Sequence, residues 1–216
     1  MADSARFAWI TNESVPHPDA ECDSEILRTR RFVAVPSIGA LVPGWTLIVP
    51  RRPLRNLSLA SPDEHRELLN IVDEIAGPLR SHGNEVYCFE HGSRAAGSLT
   101  GCGVDQAHLH VVPLGFDLTA AAVRRAGGAV DWRDSRTMRS PFGELPQHGE
   151  YVVVWRTSDR FTMIGSVPYP VSQLLRRVIA VELGIESEWN YHTHPQGHNV
   201  AQTLSMLAGL RSSLSL

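Results

Sequence analysis

Gln106, His108 and His110 recur at two-residue spacing within GCGVDQAHLHVVP, residues 101–113. Successive side chains of a β-strand point to opposite faces. A strand through this segment therefore sets one amide and two imidazoles side by side. Ala107, Leu109 and Val111 turn to the other face, where apolar groups pack on a core. A neutral imidazole near pH 7 is a competent nucleophile and also a hydrogen-bond donor. Such a row suits attack on an electrophile and stabilisation of the charge that then develops. Two other readings use the same residues: strand histidines that ligate a metal, or a polar pair without chemistry. No cysteine pair accompanies the motif, and the reading assigns neither metal nor cofactor.

The surrounding chain supplies elements that hold such a row. FVAVP (residues 32–36) and WTLIVP (45–50) read as β-strands joined through a Pro43-Gly44 turn. Ser61-Pro62-Asp63-Glu64 is a capping box with proline at the first helical position. Leu68, Leu69, Val72, Ile75 and Leu79 then recur at helical spacing, with Gly77-Pro78 expected to end or bend the helix. EVYCFE (85–90) is a further strand, and a Gly- and Ser-rich loop leads from it to the histidines. Downstream, DLTAAAVRRA is a short helix, YVVVWR and RFTMIGS form a hairpin, SQLLRRVIAVELG is an amphipathic helix, and the tail ends in another helix. Antiparallel strands with a few packed helices make the fold class α+β. Residues 1–24 are polar and turn-rich and are expected to wrap the surface.

Bulk properties narrow the class. The 216 residues are 43% hydrophobic with a formal charge of −3, and no basic block points to nucleic acid or to a membrane surface. Cys22, Cys88 and Cys102 are odd in number and widely spaced, as reduced thiols are. No signal pattern opens the chain and no apolar run approaches a membrane span, so a cytoplasmic location is expected.

QAHLHVV, residues 106–112, resembles the signature of the histidine triad (HIT) superfamily, His-φ-His-φ-His-φ-φ with φ apolar, with glutamine at its first position. The preceding hairpin, capped helix and Gly-rich entry occur in that family's order, so the resemblance covers residues 22–115 as a HIT-like catalytic domain. Residues 116–216 form a C-terminal α/β extension of hairpin and helices, similar to that of a bacterial HIT subgroup, with a degenerate HIT-like half as one form of it. The resemblance implies hydrolysis or transfer at a nucleotide α-phosphate through a nucleotidyl-histidine. His108 is then the nucleophile, His110 the third triad member, and Gln106 stands for the first. The implied partner is a nucleotide or nucleotide conjugate; neither nucleic acid nor membrane is expected, and a homodimer is an assembly the family allows.

Several positions depart from the family's pattern. Gln106 can donate to phosphate, but it neither carries charge nor shuttles a proton. A neutral bond in place of a charge-assisted one costs on the order of 1 kcal/mol. Gly103 and Cys102 stand where relatives place Ser or Thr preceded by Gln, and Ser37 stands where Asp or Asn meets the ribose. These three, with Arg94 and Ser98 of the loop, are the candidate substrate and phosphate contacts. Binding with weakened catalysis is the alternative reading, and a metal-dependent enzyme using His108 and His110 is another. Glu90 and His91, at the start of the loop, orient a base or ribose or else lie at the surface. His192, His194 and His198 form a tail loop that is solvated, binds metal, or covers the pocket.

Overall fold

The strands are built where β-branched and aromatic residues alternate, and they join into one antiparallel sheet. A computed structural model describes residues 6–80, 83–100, 104–135, 141–146, 148–169 and 171–211. In chain order the elements are α1 (Ala8–Thr11), β1 (Leu27–Arg28), β2 (Phe32–Pro36), β3 (Thr46–Pro50), α2 (Pro62–Arg80), β4 (Glu85–Gly92) and β5 (Leu109–Leu114). Then follow α3 (Leu118–Ala126), β6 (Asp131–Ser135), β7 (Glu150–Arg156), β8 (Thr162–Val167), α4 (Leu174–Glu182), α5 (Gly197–Met206) and α6 (Ala208–Arg211). The sheet has eight strands in the order β1-β2-β3-β5-β4-β7-β8-β6. Strand pairing thus continues from β4 into β7, and residues after 116 extend the same sheet.

Alternation sorts the strand side chains onto two faces. On one face Ala34, Ile48, Cys88, Leu109, Val111 and Trp155 meet the apolar stripe of α2, which includes Leu68, Val72, Ile75 and Leu79. The capping box at the start of α2 is formed: the Glu64 amide donates to Ser61 Oγ at 3.3 Å and the Ser61 amide to Glu64 Oε2 at 2.7 Å. The helix continues through Gly77-Pro78 to Arg80. Proline there lacks a donor, but it lies in the last turn, so the helix loses little before it ends.

The other face has two covers. At β2 and β3, Phe7, Trp9 and Ile10 pack on Val33, Val35, Leu47 and Val49. The N-terminal segment is therefore anchored by buried apolar residues rather than lying as a polar wrap. At β4, β5 and β7, Phe89, Val112, Val152 and Val154 pack under α3 and α4. Between these covers the sheet presents its histidines. The strand β6, DWRDS, went unread in the sequence; it pairs with β8 at the sheet edge. Its charged residues suit an exposed edge but hide the apolar alternation that marks a strand.

Candidate active site

Register brings three imidazoles to the face between the covers. His110 lies on β5 opposite Phe89 of β4 and Leu47 of β3. His91, two residues beyond Phe89, shares its face. His108 immediately precedes β5. The His108 and His110 rings are 5.0 Å apart, those of His91 and His110 6.2 Å, and Phe89 stacks on His110 at 4.3 Å. All three histidines line one cavity of about 40 Å³, room for roughly three waters.

Their hydrogen bonds assign different tautomers. His108 Nδ1 lies 2.9 Å from the Gln106 carbonyl; a carbonyl only accepts, so Nδ1 carries the proton and Nε2 keeps its lone pair. Trp45 Nε1 lies 3.0 Å from His110 Nδ1. The indole N–H only donates, so His110 accepts there and carries its proton on Nε2. The Leu175 amide donates to His91 Nε2 at 3.3 Å, which leaves the His91 proton on Nδ1. Burial disfavours charge on all three rings. It lowers the His91 pKa to about 3, and His108 and the Arg176 guanidinium add to the shift. Burial takes His110 well below the usual range, with His108, His91 and Arg176 adding to it. His108 is lowered by burial too, against the opposing bond to the Gln106 carbonyl. The site therefore holds three neutral imidazoles at pH 7.

The walls come from distant segments. Arg6 and Phe7 close one side, and the Phe7 ring is 5.6 Å from that of His108. Arg6 is ion-paired with Asp23. Ser37, from the end of β2, lines the floor with its amide bonded to the Trp45 carbonyl. Gln173 and Arg176 of the α4 N-terminus and Tyr191 of the loop after it close the other side. Arg176 is 3% exposed; it donates to the carbonyls of Gly39 and Trp189 and lies 4.9 Å over the Trp45 ring. Gly39 has φ +67°, and a Cβ there would come within 2.5 Å of Tyr191 Cβ, so glycine is what lets the Tyr191 loop seat.

Among the residues singled out in the sequence, His108, His110 and Ser37 meet at this cavity, whereas Gln106, Arg94 and Ser98 do not line it. The regular strand begins only at Leu109, so Gln106 escapes the alternation expected of it. Its amide turns to the loop after β3: Nε2 donates to the carbonyls of Pro50 and Arg52 at 3.0 and 3.1 Å, and Oε1 accepts from the Leu54 amide at 3.2 Å. Arg94 is held by the carbonyls of Pro146 and Gly149, and Ser98 donates to Glu150 at 2.5 Å. Both thus tie the loop to the start of β7. Cys102 and Gly103 lie outside the described residues. Glu90 points to the opposite face, where it accepts from Tyr151 Oη at 2.6 Å and the Leu57 amide at 2.7 Å. Of the tail loop only Tyr191 reaches the cavity, not His192, His194 or His198. Among the described residues no group of three or more His, Cys, Asp or Glu side chains is arranged to hold a metal.

No spacing or motif in the sequence connects Arg6, Phe7, Gln173, Arg176 and Tyr191 with the histidines, so the sequence alone gives them no role. His91 left one signal. It follows Tyr87 and Phe89 in alternation, so pairing β4 beside β5 places it with His110.

Residues 20–116 match the family model of the HIT domain. No curated protein matches the chain. Among solved structures, a Hit-like protein involved in cell-cycle regulation from Bartonella henselae, with an unknown ligand, is 20% identical. That match covers 54% of this chain and 83% of the other, with a TM-score of 0.40. A hypothetical histidine triad nucleotide-binding protein from Sulfolobus tokodaii is 18% identical over 51% of this chain and 70% of its own, with a TM-score of 0.37. Residues 20–116, which carry all three cavity histidines and the strands that hold them, are thus similar to a HIT domain.

Proposed function

We propose that this site cleaves or transfers at the α-phosphate of a nucleotide or nucleotide conjugate, with His108 as nucleophile. The observation that carries the reading is the pair of opposite tautomers facing one cavity. His108 keeps a lone pair on Nε2 while its Nδ1 proton is held by the Gln106 carbonyl, and His110 offers Nε2–H because Trp45 occupies its Nδ1. In the first step His108 Nε2 bonds to phosphorus as the bond from phosphorus to the leaving oxygen breaks. The leaving group departs with that electron pair and takes a proton from solvent. His110 donates to a non-bridging oxygen as charge grows there. Water or another acceptor then attacks phosphorus, breaks the bond to His108, loses its proton and releases the nucleotide.

His108→Gly is expected to abolish both turnover and an acid-labile nucleotidylated protein, measured by rapid acid quench and mass spectrometry with a panel of mononucleotides, dinucleoside polyphosphates and nucleotide-sugars. Full turnover by this variant overturns the mechanism. A second reading, nucleotide binding with weak turnover, draws on Gln106. Its amide is engaged by the 50–54 loop, so position 106 supplies no acid for a leaving group. Tight binding without turnover across the same panel selects that reading.

A further inference from the structure

Gln173, the N-cap of α4, combines two unfavourable features at the cavity wall. It is 4% exposed, and its Oε1 is buried with no hydrogen-bond partner. Buried acceptors are paired in the great majority of cases, so an exception calls for a cause. Its backbone is left-handed, φ 55° and ψ 36°, which is unfavourable for a residue with a Cβ. Two other described non-glycine residues, Arg160 and Gln196, share positive φ, but neither lines the cavity. The same helical turn holds His91 through the Leu175 amide and brings Arg176 to the wall. An unsatisfied acceptor thus belongs to a residue that lines one cavity with a cation and three neutral imidazoles.

We propose that Gln173 is a specificity-determining residue whose Oε1 accepts a hydrogen bond from a sugar hydroxyl of a phosphorylated ligand. The inference rests on the reading above, in which the phosphoryl group sits at His108 and His110. Gln173 lines the same cavity as His108 and His110, so the part of a ligand next to its phosphoryl group, the sugar with its hydroxyls, is what Gln173 meets. No carboxylate is among the described lining residues, so recognition of that hydroxyl falls to neutral acceptors.

The test compares the wild-type protein with Gln173→Gly, a substitution that suits positive φ and removes the orphaned oxygen together. Calorimetry would measure binding of the four ribonucleoside 5′-monophosphates, their 2′- and 3′-deoxy forms, ribose 5-phosphate and inorganic phosphate. Wild type is expected to prefer the ligand bearing the contacted hydroxyl by about tenfold or more, since a site with a buried acceptor rejects a ligand lacking the donor. The variant is expected to lose that preference, bind inorganic phosphate within about twofold of wild type, and melt at or above the wild-type temperature. Retention of the preference by the variant, its absence in wild type, or a large fall in Tm with loss of phosphate binding overturns the proposal. Nucleotides bound equally by both proteins leave the nucleotide reading standing without Gln173. Ribose 5-phosphate bound in a Gln173-dependent way, with no nucleotide bound, leaves Gln173 standing without the nucleotide. Failure of every ligand to bind removes both.

Discussion

At the scale of single residues, the proposed chemistry depends on which nitrogen of each histidine faces the cavity. Proton positions follow from partners that can act in only one sense, a carbonyl for His108 and an indole N–H for His110. Gln106 stands apart from this pair. It fixes the His108 ring through its backbone carbonyl while its side chain secures the 50–54 loop. A neutral imidazole has one donor and one acceptor and cannot make all three amide contacts. Gln106→His should therefore leave a buried backbone group of residues 50–54 unpaired and lower stability by about 1–3 kcal/mol. Hydrolysis should not rise. Urea titration and a turnover assay check both statements; a gain of activity at unchanged stability would show that position 106 belongs to the catalytic row.

At the scale of elements, the site depends on how β4 is joined to both halves of the sheet. Alternation along β4 sends His91 to the cavity and Glu90 to the other face, where Glu90 meets Tyr151 of β7. Gly92 lies opposite Tyr151 in the β4–β7 register, and a Cβ on it would fall 2.1 Å from the Tyr151 ring. Ring and strand cannot both stay in place if that position has a side chain. Gly92→Ala is expected to displace Tyr151, strip Glu90 of a hydrogen bond and destabilise by about 1–3 kcal/mol, read as a fall in the urea midpoint. A variant as stable as wild type would mean that β7 yields easily at this point. Helix α5 serves a similar joining role: Thr203 and Asn199 bond the Gly44 amide and the Ala40 carbonyl, which fixes the turn before Trp45.

At the scale of the whole molecule, the buried titratable groups oppose one another in pH. His91, His108 and His110 have lowered pKa values in the folded chain, with His91 at about 3, while the unfolded rings take protons near pH 6.5. Their neutral burial is favourable above that pH. As pH falls below 6.5 it weakens stability by up to about 1.4 kcal/mol per unit for each ring. Burial raises Glu90 to about 7, against the opposing bonds from Tyr151 and the Leu57 amide, so its contribution is complete below about 4.5 and is lost as pH rises through 7. Three imidazoles outweigh one carboxyl between pH 4.5 and 6.5. Stability should therefore climb from pH 5 to 7, as measured by thermal melts across that range. A maximum at pH 5 would contradict the burial of the histidines as neutral rings. Among the described residues β7 pairs with the second edge of β4, and the sheet ends at β1 and β6.

Local sequence carries the parts whose physics is local. Alternation marked β2, β3, β4 and the β7–β8 hairpin, the Ser61–Glu64 box marked the start of α2, and the spacing of His108 and His110 marked β5. The HIT signature in that segment was legible because a strand enforces its own two-residue period. The polar edge strand β6 was not legible, since exposed charge erases the alternation. Nor was the fate of Gln106, where the period stops two residues before Leu109 and long-range backbone partners capture the amide. Arg94 and Ser98 sit close to the histidines along the chain yet are drawn to residues 146–150. The cavity walls run the opposite way. Phe7, Ser37, His91, Gln173 and Arg176 are far apart in sequence and meet because strand order, the burial of the N-terminal segment and the packing of α4 bring them to one gap in the sheet face. A two-residue period is a property of one strand, whereas a pocket is a property of what that strand is packed against.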